Sequence, residues 1–262
     1  MNTCTQLHIS DLSNLSESIS PDNIVSFPVP THTHTHTHTQ QRVSPIKDPD
    51  KVVEIYNALL SSGKYGLRNA TIFALQLAIG RRTNDIAAMR IKDIYDFKKH
   101  AIKSMITVDE HKTGKTARDL PLPPRTRQLL QNYTNTLSQK SPESLLFPSQ
   151  KRDKNGNQRP LSTSSLDHIY QTYTAQCFTS EDEQTHISTY AARKTYGHNL
   201  YTECMKKHNG MLPGTDISAL QYVQSVFNHE STSITLRYIG AYDAPAMELA
   251  ESIEGKYSFG PK

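Results

Sequence analysis

The sequence has no apolar run approaching the ~20 residues that a membrane-spanning helix needs. Its N-terminus also lacks the basic segment followed by an apolar stretch that marks a secretory signal. The three cysteines, Cys4, Cys177 and Cys204, are odd in number and widely spaced, which fits neither a disulfide framework nor a zinc site. These absences predict a cytoplasmic protein with no membrane partner.

The charge of the chain is weakly basic and unevenly distributed. Its net charge is +4 and its sequence pI is 8.8. Residues 1–46 hold one basic residue against three acidic ones, a net of −2, so the remainder carries +6. Because phosphate contacts need Lys and Arg, this excess is a mild signal for nucleic acid. Ordinary solubility charge is the alternative.

The sequence predicts two regions, 1–46 and 47–262. The first is rich in Ser, Thr and Pro and contains a Thr-His repeat over 31–39. Alternating Thr and His gives no apolar face, so this region is predicted to be a disordered arm. Four histidines could bind a metal weakly, but a repeat expansion is the favoured interpretation. Residues 47–262 are predicted to form one domain that includes a C-terminal helix.

Apolar periodicity predicts a mainly α domain with one small antiparallel β-sheet, an α+β class. Helical spacing appears over 52–60, 70–79, 124–137, 164–178, 189–201, 217–227 and 244–253. The segment 70–79 has eight apolar residues in ten and is predicted to be buried almost all round. Residues 103–122 predict a β-hairpin with a basic tip, and residues 149–160 predict a polar, basic loop.

Five polar motifs follow one another along this domain. They are Gly80-Arg81-Arg82-Thr83-Asn84-Asp85-Ile86-Ala87-Ala88-Met89-Arg90, the hairpin tip His111-Lys112-Thr113-Gly114-Lys115, Ile187-Ser188-Thr189-Tyr190-Ala191-Ala192-Arg193-Lys194-Thr195-Tyr196, Asn228-His229-Glu230-Ser231, and Thr235-Leu236-Arg237-Tyr238-Ile239-Gly240. Singly, each polar residue is more often a surface or core residue than a functional one. The five motifs in this order resemble the catalytic domain of tyrosine recombinases, the phage-integrase family, over about residues 47–245.

The resemblance implies a set of catalytic residues. Asp85 and Ile86 match the acidic-aliphatic pair of the family's first motif, which puts its arginine at Arg82 rather than Arg81. A second arginine of that motif falls on Arg90. The remaining matches are Lys112, with Lys115 as the less favoured choice, Arg193, His229 and Tyr238 as the nucleophile.

Three departures from the family pattern are visible. Tyr190 stands where the family usually has His, and its i to i+3 spacing still places it beside Arg193. A phenol can donate a hydrogen bond to a phosphate or to the attacking Tyr, so activity should survive. His186 is only a weak substitute. Asn228 replaces a Gly, and 206–214 is predicted to be a loop insertion.

The residue types suit attack on a phosphodiester. Two guanidiniums, Arg82 and Arg193, are fixed planar donors for the scissile phosphate, and His229 is predicted to be a third phosphate contact or a base. Lys112 is the candidate general acid for the leaving oxygen. Family resemblance implies a 3′-phosphotyrosyl intermediate on Tyr238 and no cofactor, metal or ATP. Clustered carboxylates of the two-metal kind do not stand out in the sequence.

The predicted partner is double-stranded DNA with a specific core site. The arm over 1–46 is too short and polar to build the family's usual N-terminal clamp, so help from a DNA-bending protein or a second subunit is expected. Resemblance to the family suggests a tetramer on DNA. The helix over 244–253 could pack on its own domain, and the resemblance favours docking on a neighbouring subunit instead. A DNA-binding regulator that has lost cleavage and a type IB topoisomerase are the alternative interpretations.

Overall fold

A computed structural model of the chain describes residues 43–108, 118–138, 140–180, 182 and 186–241. Within these ranges the fold is mostly helical. The helices are α1 (Pro49–Leu60), α2 (Gly66–Ile79), α3 (Thr83–Ala87), α4 (Ile91–Ile94), α5 (Pro124–Asn135), α6 (Thr163–Thr174), α7 (Ala191–His208), α8 (Ala219–Phe227) and α9 (Thr232–Tyr238). Short 3-10 turns cover Gly63–Tyr65 and Ala175–Cys177.

Helix α2 is the centre of the domain. Ten of its fourteen residues are buried, and it packs against α1, α5 and α7. Nearly all-round burial is what the apolar composition of 70–79 predicts. Helix α1 begins at Pro49 with Asp48 as its N-cap, whose carboxylate accepts the N–H of Asp50 at 2.9 Å. Proline fits the first helical position because that N–H has no helical partner.

The strands form three two-stranded antiparallel sheets among the described residues. They pair β1 (Tyr95–Asp96) with β2 (Ala101–Ile102), β3 (Met105–Val108) with β4 (Arg118–Pro121), and β5 (Pro148–Arg152) with β6 (Gln158–Pro160). The predicted hairpin over 103–122 is therefore present as β3 and β4, and its tip lies outside the described residues. One small sheet was predicted, and the described residues form three.

The segment over 149–160 is the clearest correction. It was predicted to be a loop because it has no alternating apolar residues, yet it forms the β5–β6 hairpin. Hydrogen bonds within its tight turn, rather than burial of apolar side chains, stabilise this hairpin. Asp153 accepts the N–H groups of Asn155 and Asn157, each at 2.8 Å, and Gly156 adopts φ 80°. An aspartate that caps its own turn is an ordinary device of polar hairpins.

The helices after residue 190 begin or end at residues other than those predicted. Helix α7 continues to His208, so the predicted insertion at 206–214 becomes a loop only at Asn209, which caps α7 in the left-handed region at φ 49°. Helix α9 was not predicted as a helix. A small apolar cluster of Val223, Val226, Phe227 and Ile239 joins α7, α8 and α9. The predicted helix over 244–253 lies outside the described residues.

Residues 43–46, which the sequence prediction assigned to the arm, lie on α7. The backbone N–H of Ile46 donates to the Thr195 hydroxyl at 2.8 Å, and Lys194 donates to the carbonyl of Val43 at 2.6 Å. Ile46 is 7% exposed and belongs to the main core. The Thr-His repeat lies outside the described residues. Within the described part of the chain, no helix has both the length and the hydropathy that a membrane span requires.

Candidate active site

The turn between α2 and α3 presents Arg82. Gly80 ends α2 in the left-handed conformation at φ 62°, and its N–H donates to the carbonyl of Gln76 at 2.9 Å. A Cβ at this position would lie 2.2 Å from the Tyr196 ring, so the close approach requires glycine. Arg82 is the extended N-cap of α3 and is half-buried, whereas Arg81 is 2% exposed. The turn therefore buries one arginine and leaves Arg82 at the surface of the site.

A buried polar network joins this turn to the segment that precedes α7. The amide of Gln76 donates to the Thr83 hydroxyl at 3.0 Å and to the carbonyl of Thr189 at 3.1 Å. The Tyr170 hydroxyl donates to the Gln76 carbonyl oxygen at 2.8 Å, and Thr83 donates to Thr189 at 3.0 Å. Because a buried amide must be hydrogen-bonded, Gln76 fixes the relative position of the two motifs.

Arg193 lies in the first turn of α7 and is 2% exposed. Its guanidinium donates to the carbonyl of Gly80 at 2.7 Å and to that of Phe227 at 3.2 Å. It also stacks over the Phe227 ring at 4.4 Å and forms a side-chain hydrogen bond with Tyr238. These contacts fix the plane of the Arg193 guanidinium, so Arg193 connects α2, α8 and α9 at one point.

His229 follows the end of α8. The intervening Asn228 adopts φ 55° and ψ 45°, the left-handed conformation that also suits the family's Gly. The N–H of His229 donates to the carbonyl of Gln224 at 3.0 Å, and Gln224 donates in return to the carbonyl of His229 at 3.1 Å. The imidazole packs edge-on against Phe227, with 5.4 Å between ring centroids. Substitution of Gly by Asn therefore preserves the backbone of this turn.

The hydrogen-bond partners of His229 favour one tautomer. Its Nδ1 lies 3.0 Å from the Thr235 hydroxyl, and that hydroxyl donates its one hydrogen to the carbonyl of Ser231 at 3.2 Å. This arrangement favours Nδ1 as the donor, which leaves Nε2 as an acceptor. Burial, followed by the positive charges of Arg193 and Arg82, lowers the pKa of His229 to about 4. The imidazole is therefore neutral at pH 7.

Tyr238 is the last residue of α9 and is half-buried. Its ring lies edge-on to His229 and to Phe227, at 5.0 and 5.3 Å between centroids, and Lys194 lies 4.8 Å from its face. Burial raises the pKa of the Tyr238 phenol, and the charge and hydrogen bond of Arg193 oppose that rise. The phenol is therefore protonated at neutral pH and must lose a proton before it can act as a nucleophile.

The remaining predicted residues have different outcomes. Tyr190, the N-cap of α7, is 49% exposed, and it lies close enough to Tyr238 to contribute, as Arg82 does, to the electrostatic environment of that phenol. Lys112 and Lys115 lie outside the described residues. Arg90 caps α4 and forms an ion pair with Glu143 at 3.7 Å. The structure thus brings Arg82, Tyr190, Arg193, His229 and Tyr238 together.

Four residues that contact this site were not predicted to belong to it from the sequence: Gln76, Lys194, Phe227 and Thr235. Only Gln76 could have been identified from the sequence, because an amide in an otherwise apolar, buried helix must have buried hydrogen-bond partners. Phe227 and Thr235 look like ordinary members of amphipathic helices. Their contacts with Arg193 and His229 depend on how α7, α8 and α9 pack.

Comparison with known proteins agrees with this geometry. Residues 47–244 match the model of the phage integrase family. The probable integrase/recombinase YoeC of Bacillus subtilis (strain 168) is 28% identical over 198 residues, which cover 76% of this chain and 90% of YoeC. The XerH site-specific recombinase, solved bound to palindromic difH substrate in a post-cleavage complex, superposes with a TM-score of 0.53 at 18% identity, covering 81% of this chain and 54% of XerH.

A crystal structure of the XerA recombinase gives a TM-score of 0.51 at 17% identity, covering 80% of this chain and 66% of XerA. The chain therefore spans about half of the XerH chain and about two thirds of the XerA chain. At these identities the structural likeness concerns the fold. It confirms the predicted class, a mainly α catalytic domain with small antiparallel sheets.

Proposed function

The chain belongs to the phage integrase family, and we propose that it is a site-specific DNA recombinase that cuts and rejoins double-stranded DNA through Tyr238. One observation carries the proposal. The Tyr238 phenol is hydrogen-bonded to the buried guanidinium of Arg193 and packs against the neutral imidazole of His229. A nucleophile, an anion-binding group and a proton acceptor therefore meet at one point.

Arg82 and Arg193 bind the scissile phosphate in this proposal. Attack on a phosphodiester concentrates negative charge on the non-bridging oxygens, and guanidiniums remain charged at every accessible pH. The carbonyls of Gly80 and Phe227 hold the Arg193 fork in place before the substrate arrives. Such preorganised donors contribute about 3–4 kcal/mol each to transition-state stabilisation in well-studied sites.

His229 is the base that accepts the Tyr238 proton. An imidazole whose Nδ1 donates to Thr235 has a lone pair on Nε2, so it accepts a hydrogen bond better than it donates one to phosphate. Of the two roles that the sequence left open, the hydrogen bonds favour the base. Tyr190, which replaces the family's usual His, lies beside Arg193 and supplies a phenolic donor to the phosphate.

The reaction exchanges one phosphoester bond for another, so their number is unchanged. The Tyr238 oxygen forms a bond to phosphorus while the bond from phosphorus to the 5′-oxygen breaks, and the 5′-oxygen leaves as a hydroxyl after protonation by Lys112. The product is a 3′-phosphotyrosyl link, and attack by a 5′-hydroxyl reverses the step with the same groups. Because bond energy is retained in the covalent intermediate, rejoining needs no external energy source.

Two strand pairs must be exchanged in site-specific recombination, so we propose that the protein acts as a tetramer on paired DNA core sites within the nucleoid. XerH was solved on its difH DNA substrate, which supports duplex DNA as the partner class. An accessory DNA-bending protein would help to bring the core sites together. Integration, excision and inversion of a mobile element all use this chemistry.

Nicked duplexes built on inverted repeats that flank the gene provide the test. The proposal expects an SDS-resistant protein–DNA adduct on these duplexes. DNA binding without any adduct would instead indicate a regulator with the recombinase fold. Relaxation of supercoiled plasmids irrespective of sequence would indicate a type IB topoisomerase, which shares the chemistry but needs no specific site.

A further inference from the structure

The β5–β6 hairpin holds most of the net charge of the chain. Residues 148–160 contain four basic side chains, Lys151, Arg152, Lys154 and Arg159, against the single acid Asp153. The hairpin thus carries +3, whereas the whole chain carries +4. All four basic side chains are exposed. Charge of this density on a short projecting element suits a polyanion.

The one acid of the hairpin is engaged within the turn. Its carboxylate accepts the N–H groups of Asn155 and Asn157 and the side-chain amide of Asn157 at 3.1 Å. The backbone bond from Asn157 is the main reason that the pKa of Asp153 is lowered. Arg152 donates to the carbonyl of Gly156 at 2.7 Å and braces the same turn. The outward charge of the tip therefore comes from the basic side chains.

The root of the hairpin lies next to the proposed phosphate site. Leu161 donates its N–H to the carbonyl of Phe147 at 3.3 Å and closes the root. Just beyond, the Thr163 hydroxyl donates to the side chain of Asn84, two residues after Arg82. Through Thr163, the first residue of α6, the segment that follows the hairpin is connected to the N-terminal turn of α3.

A second contact fixes the helix that follows the hairpin. Asp167 of α6 accepts the N–H of Thr189 at 2.9 Å, one residue before Tyr190. The start of α6 is thus attached to both edges of the candidate site, the Arg82 turn and the entrance to α7. The helix that follows the hairpin is thus held beside the residues proposed to bind the scissile phosphate.

We propose that the β5–β6 hairpin is a second DNA-binding element, which contacts backbone phosphates beside the cleavage point through Lys151, Lys154 and Arg159. This inference rests on the proposed function. From Pro148 to the turn the strand reaches about 20 Å at 3.3 Å per residue. That length corresponds to about six base pairs at 3.4 Å each. The contacts are with phosphate, so they add affinity and fix orientation rather than read sequence.

The test compares two charge-matched double variants in the Tyr238→Phe background, so that binding is measured without cleavage. Lys151→Ala with Lys154→Ala removes two charges from the hairpin. Lys206→Ala with Lys207→Ala removes two from the far end of α7, about 20 Å from Arg193 at 1.5 Å per residue. Binding to a 30-base-pair duplex is followed by fluorescence anisotropy across a range of salt concentrations, and urea unfolding verifies that each variant is folded.

The hairpin variant is expected to reduce the slope of log affinity against log salt by about 1.8, since each lost phosphate contact contributes about 0.9. The α7 variant should leave the slope unchanged. Shortening the duplex by about six base pairs on the hairpin side should remove the difference between the hairpin variant and its parent. Equal slopes for parent and hairpin variant, or an equal fall in both variants, would overturn the proposal.

The readouts separate this proposal from the proposed function. A parent protein that binds DNA with no contribution from the hairpin overturns only the hairpin proposal, because adduct formation through Tyr238 is measured independently. A parent protein that binds no duplex DNA overturns both.

Discussion

At the scale of single residues, the site depends on backbone conformations that few side chains tolerate. Asn228 stands between α8 and His229 in the left-handed region, and this conformation reverses the chain so that His229 returns to Gln224. Asparagine is one of the few residues other than glycine that adopts it routinely. The departure from the family's Gly is thus conservative in backbone terms.

Replacement of Asn228 tests this interpretation. Asn228→Ala should lower the free energy of unfolding by about 1–2 kcal/mol because alanine resists the left-handed region. Asn228→Gly should keep it within about 1 kcal/mol, since glycine accepts the conformation but has a more flexible unfolded state. Urea unfolding monitored by circular dichroism measures both. Equal losses in the two variants would show that the Asn side chain, not the backbone conformation, matters.

Thr235 is the hydrogen-bond partner of the His229 Nδ1. Thr235→Val keeps the shape but removes the oxygen that accepts the Nδ1 proton, so Nε2 is no longer held as the acceptor. We expect adduct formation at saturating protein to slow by at least about tenfold, as for loss of an oriented general base. Thr235→Ser should restore most of the rate. A parental rate in Thr235→Val would remove the base role from His229.

The pKa of His229 gives an independent test of the same environment. Its folded pKa, lowered to about 4, lies below the usual value of 6.5. The unfolded chain therefore takes up the proton first, and stability is lost as pH falls from about 6.5 to about 4. An NMR titration of the free protein should place the His229 midpoint near 4, and Arg82→Gln should raise it. A midpoint near 6.5 would contradict the buried, cation-flanked position.

At the scale of elements, one face of α7 holds the nucleophile. Arg193 and Gly197 lie one turn apart on it, as do Lys194 and His198. A Cβ on Gly197 would lie 2.6 Å from the Phe227 ring, so glycine lets α8 and α9 approach. The Nδ1 of His198 lies 3.1 Å from the carbonyl of Ile239, directly after Tyr238. Because a carbonyl can only accept, His198 is the donor.

His198 should therefore position Tyr238 without touching the substrate. We expect His198→Ala to slow adduct formation by about 10- to 100-fold, the range that a displaced reacting group produces. The affinity for DNA should be unchanged. His198→Asn, whose amide can reach the same carbonyl, should recover most of the rate. If Asn and Ala are equally slow, the hydrogen bond to Ile239 is not the cause.

The elements that were predicted and those that were missed differ in a physical way. Helix α2 was found because burial on every side leaves an almost unbroken apolar sequence. Helix α9 has only seven residues, and β-branched residues such as Ile234 and Thr235 lower its propensity. The cap of Ser231 and packing on α8 stabilise it. The β5–β6 hairpin was missed because its turn chemistry, rather than apolar alternation, orders it.

The same distinction applies to the site. The order of polar motifs identified Arg82, Arg193, His229 and Tyr238 because family resemblance acts on sequence alone. The stacking of Phe227 on Arg193 arises only when helices distant in sequence pack together. No local pattern could predict that contact. The role of Lys112 stays a prediction, since the tip of its hairpin lies outside the described residues.

At the scale of the whole molecule, the domain gathers its site from three distant parts of the sequence. The turn after α2, the start of α7 and the end of α9 converge, and the buried amide of Gln76 joins the first two. Residues 43–46 add a brace on α7 through Ile46. The catalytic fold therefore depends on residues before 47, a few positions earlier than the sequence predicted.

Two truncations test where the domain begins. Removal of residues 1–42 should leave the free energy of unfolding and the rate of adduct formation unchanged. Removal of residues 1–46 should lower the free energy of unfolding by about 2–4 kcal/mol, because it deletes the buried Ile46 side chain and its hydrogen bond to Thr195. Urea unfolding measures both. Equal stability of the two truncated proteins would mean that this brace contributes nothing.

We propose that Tyr238 is the nucleophile of a site assembled from distant parts of the chain, and this role can be tested directly. It is tested most directly by mass spectrometry of the SDS-resistant adduct formed on a nicked duplex. We expect a nucleotide phosphate on the peptide that contains Tyr238, no adduct with Tyr238→Phe at unchanged DNA affinity, and slower adduct formation with Tyr190→Phe. An adduct that persists in Tyr238→Phe, or that maps to Tyr190, would contradict it.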